Sequence, residues 1–285
     1  MKNCLEGRTF KQVVTHPGQA HRDDFLACSI ALMFFTSICA VFRRNPTKEE
    51  MADPETLVLD VGEEYDIEKG NFDHHQLARD AEPECALSLF LGALGLRETF
   101  ELMAWFTATK IMDSKGPMAL AKHLGLASPD AIFKNLSPIE GGLVGLFEKQ
   151  STIEDSSLLA HIMRLLGGDL LEYANVLRGQ IEWLSANARM VDIGSVPAML
   201  VESSNTEGTQ QFRDSKCPGV GISISWDDRG AGWALYRFND HPAVDFSRLE
   251  GDPAILFAHK GGFIAKTRER LPMDEVLALV KRALK

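Results

Sequence analysis

The residues best suited to chemistry lie in four short stretches of the N-terminal part of the chain. His16, His21, Asp23 and Asp24 crowd into HPGQAHRDD, Asp60 ends TLVLD, Asp73, His74 and His75 stand side by side in GNFDHHQ, and Asp113 lies in KIMDSKG. Each Asp taken alone has an ordinary explanation, since Asp caps helices and closes turns. Histidine has little value as a cap, so runs that mix His with Asp point elsewhere. Imidazole and carboxylate donors together suit Mn, Fe or Zn better than Ca. One ion needs three or four protein ligands. Eight candidates (His16, His21, Asp23, Asp24, Asp60, His74, His75 and Asp113) exceed that and suit two ions sharing a carboxylate. Such a pair lowers the pKa of a bridging water and neutralises phosphoryl oxygens for in-line attack.

These side chains need a scaffold that brings distant stretches together. Phe10–Thr15, Ile38–Arg43 and Thr56–Val61 read as strands, with an apolar helix from about Asp24 to Phe35 between the first two. Residues 85–96 and 98–109 read as further helices. Strands separated by helices imply a parallel sheet covered on both faces, with ligands beyond the strands' carboxyl ends. The four polar stretches follow strand-like runs or lie close to them, so the expected site is that edge. The fold class expected is α/β. Residues 1–136 form a parallel-sheet metal domain, 137–190 a helical spacer in which Gly167-Gly168 separates two helices, and 191–285 a smaller α+β domain. Val220–Trp226 and Trp233–Phe238 alternate as a β-hairpin, and Met273–Lys285 reads as an amphipathic helix.

The composition narrows the function. A formal charge of -10 argues against a general polyanion binder, which needs clustered Lys and Arg. Phosphate can still be held locally through bound cations. Five cysteines lie far apart without a C-x-x-C pair, and the start MKNCLEGRTFKQ has no apolar leader, so the expectation is reduced thiols in a cytoplasmic protein. Phe25–Phe42 is 18 residues without a charge. Thr36-Ser37 interrupt it and two aspartates precede it, so it reads as a buried helix and strand rather than a membrane span.

Asp73-His74-His75 resembles the signature of the DHH phosphoesterase superfamily. Val14–Ala27 and Leu59–Gln76 are similar to one branch of it, the melanocyte proliferating gene one family of metal-dependent hydrolases, and the likeness continues in LFAHKGGFI (256–264). The resemblance implies a DHH-type domain with a dinuclear centre, Mn by preference with Mg, Fe or Zn as alternatives. It implies exonuclease-like hydrolysis of RNA or short oligonucleotides. By position His16, His21, Asp23, Asp60, His74 and Asp113 match the metal ligands, with Asp60 as the bridge. His75 matches the histidine facing substrate, and Asp73 would hold a ligand histidine from behind. The wider superfamily usually has Asp where His21 stands, and Glu63 stands where the family tends to have a second Gly, which alters the local turn. Asp24 is an extra acid that serves either as a helix cap or at the site.

In the C-terminal part His259 reads either as a core histidine or, with the resemblance, as a substrate-binding one. Gly261 and Gly262 would let backbone approach a phosphate. Lys260 adds charge there or is plain surface, and Arg43 either meets substrate or ends its strand. Base stacking on Trp226 or Trp233 stands against core packing. The substrate is expected in a cleft between the domains. A phosphohydrolase for a small metabolite and a non-catalytic metal or nucleotide sensor stand as alternatives, and homo-oligomer formation is left open. No membrane partner is expected.

Overall fold

The computed structural model describes residues 3–134 and 137–285. The chain divides into two compact units that meet at Asn175–Val176, inside the segment read from the sequence as a spacer.

The first unit contains β1 (Gln12–Thr15), α1 (Arg22–Phe34), β2 (Ala40–Arg43), α2 (Lys48–Ala52), β3 (Thr56–Leu59), β4 (Tyr65–Asp66), β5 (Asn71–Phe72), α3 (Ala86–Ala93), α4 (Arg97–Phe100), α5 (Ala104–His123), α6 (Asp130–Lys134), α7 (Pro138–Glu148), β6 (Thr152–Glu154) and the start of α8 (Leu158–Asn187). Its sheet runs β4-β5-β3-β1-β2-β6. The four central strands are parallel, as the alternation of strands and helices led one to expect. Thr15 is level with Arg43 and Leu59, and Leu59 with Phe72. The residues that follow these ends, His16, Arg44, Asp60 and Asp73, therefore emerge along one edge. Burial explains the uncharged run: Val13, Val14, Leu57, Val58 and Leu59 are sealed from water, as are Ala27 to Leu32 of α1. The run ends as a helix at Phe34 and resumes as β2. Among the described residues no helix is long and apolar enough to cross a membrane.

Three expectations are corrected here. Asp113 does not follow a strand. It lies within α5, where Phe106, Lys110 and Asp113 recur at spacings of four and three and so share one face. Residues 137–190 are not wholly helical, because Thr152–Glu154 adds an antiparallel edge strand to β2. Gly167-Gly168 does not separate two helices. α8 runs through it, and the missing side chain at Gly167 lets the helix lie against the backbone of α1, where a Cβ would stand 2.3 Å from the Ser29 carbonyl oxygen.

The second unit begins within α8 and adds β7 (Arg189–Ile193), β8 (Val196–Val201), α9 (Thr209–Lys216), β9 (Ile222–Trp226), β10 (Trp233–Arg237), β11 (Ile255–Ala258), β12 (Ile264–Thr267) and α10 (Met273–Arg282). The sheet order is β11-β12-β10-β9-β8-β7, antiparallel except between β8 and β9. One face carries Ile222, Ile224, Leu235 and Ala265, buried against Val276, Leu279 and Val280 of α10 and Phe246. The hairpin and the terminal helix thus fall where the alternation and the apolar stripe put them.

Candidate metal centre

His16 follows β1 directly, and the HPGQAH loop returns the chain to the sheet edge as α1 begins. The His21 backbone N–H donates to Asp24 Oδ1 at 2.9 Å, which fixes the first turn and turns Asp23 inward. The His16 and His21 rings stack with centroids 5.6 Å apart. Asp60 follows β3 in the left-handed region at φ 60°, unusual for a non-glycine residue. Its N–H donates to the Phe72 carbonyl at 3.0 Å, tying it to the strand that delivers Asp73-His74-His75. Asp113 arrives from α5.

These side chains converge. His74 Nε2 lies 3.2 Å from Asp60 Oδ1 and 2.8 Å from Asp113 Oδ2. His21 Nδ1 is 3.3 Å from Asp113 Oδ1, and His16 Nδ1 is 3.9 Å from Asp60 Oδ2. Three overlapping donor sets place ligand atoms within 4.8 Å of one another: Asp23, Asp60, His74 and Asp113; His16, His21 and Asp60; and Asp60, Asp73, His74 and His75. Asp60 belongs to all three. Among the described residues both buried oxygens of Asp23 lack a hydrogen-bond partner, and the close approaches at His16 Nδ1, Asp60 Oδ1, His74 Nε2 and Asp113 Oδ2 are ion-pair contacts without hydrogen-bond geometry. Orphaned polar atoms rarely cluster in a protein interior, because each forfeits its hydration. Divalent cations satisfy this set at once, and the donors fit them.

The electrostatics agree. Burial, then the charges of Asp60, Asp113 and Asp24, push the Asp23 carboxyl well above the usual range. Burial also raises Asp60, with His74 opposing. For His74 burial acts downward, but Asp113 and Asp60 outweigh it and lift the imidazole to about 10. Burial would raise Asp113, yet His21 and His74 hold it below the carboxylate range. Hydrogen bonding to Asp113 raises His21. Anionic repulsion of this kind is what bound cations relieve.

Around this cluster two supports are visible. Asp73 accepts from the backbone N–H groups of Glu63 (2.7 Å), His74 (2.6 Å) and His75 (3.0 Å), and pairs with the His75 ring at 2.6 Å through Nδ1. Its imidazole partner is thus His75 rather than His74, and the His75 side chain is half exposed. Asp24 bonds the start of α1 with one oxygen, as a helix cap does. Its other oxygen lies 3.4 Å from His16 Nδ1 and 3.8 Å from Arg43. Arg43 is buried, donating to the carbonyls of Glu148 (2.8 Å) and Gly18 (3.0 Å). That commits its guanidinium to holding the HPGQAH loop.

An open cleft of ≈ 520 Å³ exposes part of the cluster, lined among others by His16, Asp60, Asp73 and His75. Asn45, Pro46 and Met51 also line it, and sequence reading did not single them out. The signal that would have found Asn45 is its place just beyond the end of β2.

His259, Lys260, Gly261 and Gly262 sit in the second unit. The Gly261 N–H donates to His259 Nδ1 at 2.9 Å, and the Gly262 N–H to the His259 carbonyl at 2.8 Å. Gly262 has φ +69°, the left-handed conformation that favours glycine. The His259 ring lies between Phe257 and Phe263, with centroids at 6.2 and 4.1 Å. It is only partly buried and lines a ≈ 560 Å³ cleft with Lys260 and Arg268. Lys266, by contrast, is paired with Asp227.

Residues 12–89 match the family model MYG1_exonuc, described as an uncharacterised protein family (UPF0160). The MYG1 protein of Chlamydia muridarum (strain MoPn / Nigg) is 37% identical over 68 residues, which is 24% of this chain and 23% of that protein. Both likenesses point to the MYG1 family through the N-terminal segment. The matched stretch spans under a quarter of that relative's length. The crystal structure of an uncharacterized protein from Helicobacter pylori G27 aligns over 95% of this chain and 99% of its own at 10% identity, with a TM-score of 0.26, too low to bear on the fold.

Proposed function

We propose that this chain is a metal-dependent phosphoesterase of the DHH type, with two divalent cations held by His16, His21, Asp23, Asp60, His74 and Asp113. The observation that carries the reading is the set of unpartnered buried donors converging around Asp60. Imidazole and carboxylate ligands favour Mn, with Fe, Zn or Mg as substitutes. When bound, a cation pair lowers the pKa of water and neutralises developing phosphoryl charge. The protein's own groups do the rest. Asp60, common to all three donor sets, would hold the cations together with His16, His21, Asp23, His74 and Asp113. Asp73 fixes the His75 ring through Nδ1, which leaves Nε2 to carry a proton to or from the substrate. Asp24 and Arg43 hold His16 and its loop.

The family name MYG1_exonuc and the Asp73-His74-His75 run support exonuclease-like cleavage of RNA or short oligonucleotides. A small phosphorylated metabolite is the second reading. It is favoured by the metal cleft, whose lining among the described residues includes no Lys or Arg and so offers no track for a long polyanion. Turnover of short RNA, short DNA, dinucleotides and pyrophosphate with Mn, side by side, decides between them. His74→Ala is expected to lose about 100-fold or more, beyond the 10–100-fold typical of a group that only supports a ligand. Equal activity in wild type and variant refutes the site.

A further inference from the structure

The helical side of the first unit leaves an apolar surface uncovered. α7 reads PIEGGLVGLFE, and α8 opens with LLAHIMRLLGGDLL. Each is apolar around most of its circumference, as a helix in an interior is. Yet only Phe147 of α7 is buried, and a Cβ on Gly141, Gly142 or Gly145 would meet nothing within 4 Å. Ile139 and Leu146 of α7 are 75% and 50% exposed, and Leu158 and Leu165 of α8 are 75% and 63% exposed. Both pairs are separated by two helical turns, so each pair marks one face. The two helices border a common groove of ≈ 430 Å³, lined by Ile139 and Leu143 from α7 and by Leu166 and Leu170 from α8.

The core side of α8 fixes the direction of its leucines. Ala160 and Gly167 are buried, Gly167 against the backbone of α1. They follow Leu158 and Leu165 by two residues, about 200° around a helix. The leucines therefore point straight away from the core of their own unit. The four exposed side chains offer on the order of 400 Å² of apolar surface, as much as the largest patch of a typical monomer. The groove walls add to it. A standard interface takes about 800 Å² from each partner, which two copies of this face approach. A lipid surface is a poor cover, because interfacial helices set Lys and Arg beside their apolar face. The exposed polar residues beside these leucines are His161, Asp169 and Glu172.

The pattern of charge matches a second copy of the same helix. His161 and Asp169 stand one turn to either side of Leu165. Two α8 helices running antiparallel across Leu165 set His161 of each level with Asp169 of the other, an imidazole donor at the height of a carboxylate. A parallel pair would instead set Asp169 against Asp169 and Glu172 against Glu172, like charges that repel. We propose that α7 and the first half of α8 form the interface of a homodimer, two-fold symmetric, with the α8 helices antiparallel and Leu165 on the axis. The apolar side chains of each copy cover those of the other, and the groove between α7 and α8 receives part of the partner face. The interface stands independently of the chemistry assigned to the metal centre.

Sedimentation velocity of the full-length chain over a range of micromolar concentrations tests this. A dimer in reversible equilibrium with monomer is expected. Leu165→Glu and Ile139→Glu, both at exposed positions that do not threaten folding, should each weaken association about tenfold or more while far-UV circular dichroism stays unchanged. Cross-linking reads the register. Leu165→Cys, on the axis, should form a disulfide-linked dimer on mild oxidation, above the background that the exposed Cys4 and Cys39 set in the wild-type chain. Leu158→Cys should not, because its two copies would stand about 21 Å apart along the helices. A chain that stays monomeric into the high micromolar range, a dimer indifferent to both glutamate variants, or cross-linking at 158 as efficient as at 165 overturns the inference.

Discussion

The adjacent glycines of α8 should respond to the same substitution with opposite sign. At Gly167 an added Cβ would stand 2.3 Å from the Ser29 carbonyl oxygen and 2.7 Å from its carbon, backbone atoms that cannot rotate away. α8 and α1 would have to part by about 1 Å to restore normal contact. Overpacking of this kind costs about 1–3 kcal/mol. Replacing a mid-helix glycine by alanine returns roughly 0.5–1 kcal/mol. Gly167→Ala should therefore destabilise by about 1–2 kcal/mol. At Gly168 the nearest atom is Met33 Sδ at 3.5 Å, an ordinary contact with a flexible side chain. Gly168→Ala should stabilise by about 0.5–1 kcal/mol through helix propensity alone. Urea unfolding followed by far-UV circular dichroism measures both. α1 also presents Asp23, so Gly167→Ala should weaken Mn binding while Gly168→Ala should not. If the two variants shift stability in the same direction, the close packing of α8 on α1 is wrong.

Other outcomes follow from the site. Glu63 occupies φ 53°, where a non-glycine residue is strained, so Glu63→Gly should raise stability by about 1 kcal/mol in thermal unfolding. Burial acts to raise the Asp73 pKa, but bonds from the His75 ring and from the backbone of His75 and Glu63 bring it to about 2. A depressed carboxyl stabilises the fold above its unfolded pKa near 4 and loses that contribution as pH falls through about 2. Asp73→Asn should thus remove about 2 kcal/mol of acid-dependent stability between those limits, read from unfolding midpoints against pH. Asp23 has the opposite sign, since a raised carboxyl pKa makes the metal-free fold lose stability as pH climbs past the unfolded value toward the folded one. Asp23→Asn should then be more stable than wild type near neutral pH in EDTA, yet gain less in thermal scans when Mn is added; the reverse order in EDTA would contradict the buried-repulsion account.

Much of the site was legible because a parallel sheet aligns strand ends regardless of the details of packing. Hydrophobic runs ending in His16 and Asp60 were enough to place those two residues on one edge, whereas the two-residue strand before Asp73 has no such run to mark it. Asp24 fits both of its sequence readings: one oxygen caps α1 and the other approaches His16. Local sequence could not place Asp113, whose contribution depends on how α5 packs. It could not foresee β6 either, three residues whose strand conformation comes from pairing with β2.

The chain's chemistry was thus set by residue type and order: imidazoles and carboxylates at strand ends, with an α/β alternation that gathers them. Tertiary structure alone decided which side chains meet. It turned Asp73 to the His75 ring instead of the His74 ring, spent the Arg43 guanidinium on backbone carbonyls, and ran one helix through Gly167-Gly168, where the missing side chain of Gly167 admits α1. Each of these depends on side-chain direction and on contacts between residues far apart in the chain, which local spacing does not encode.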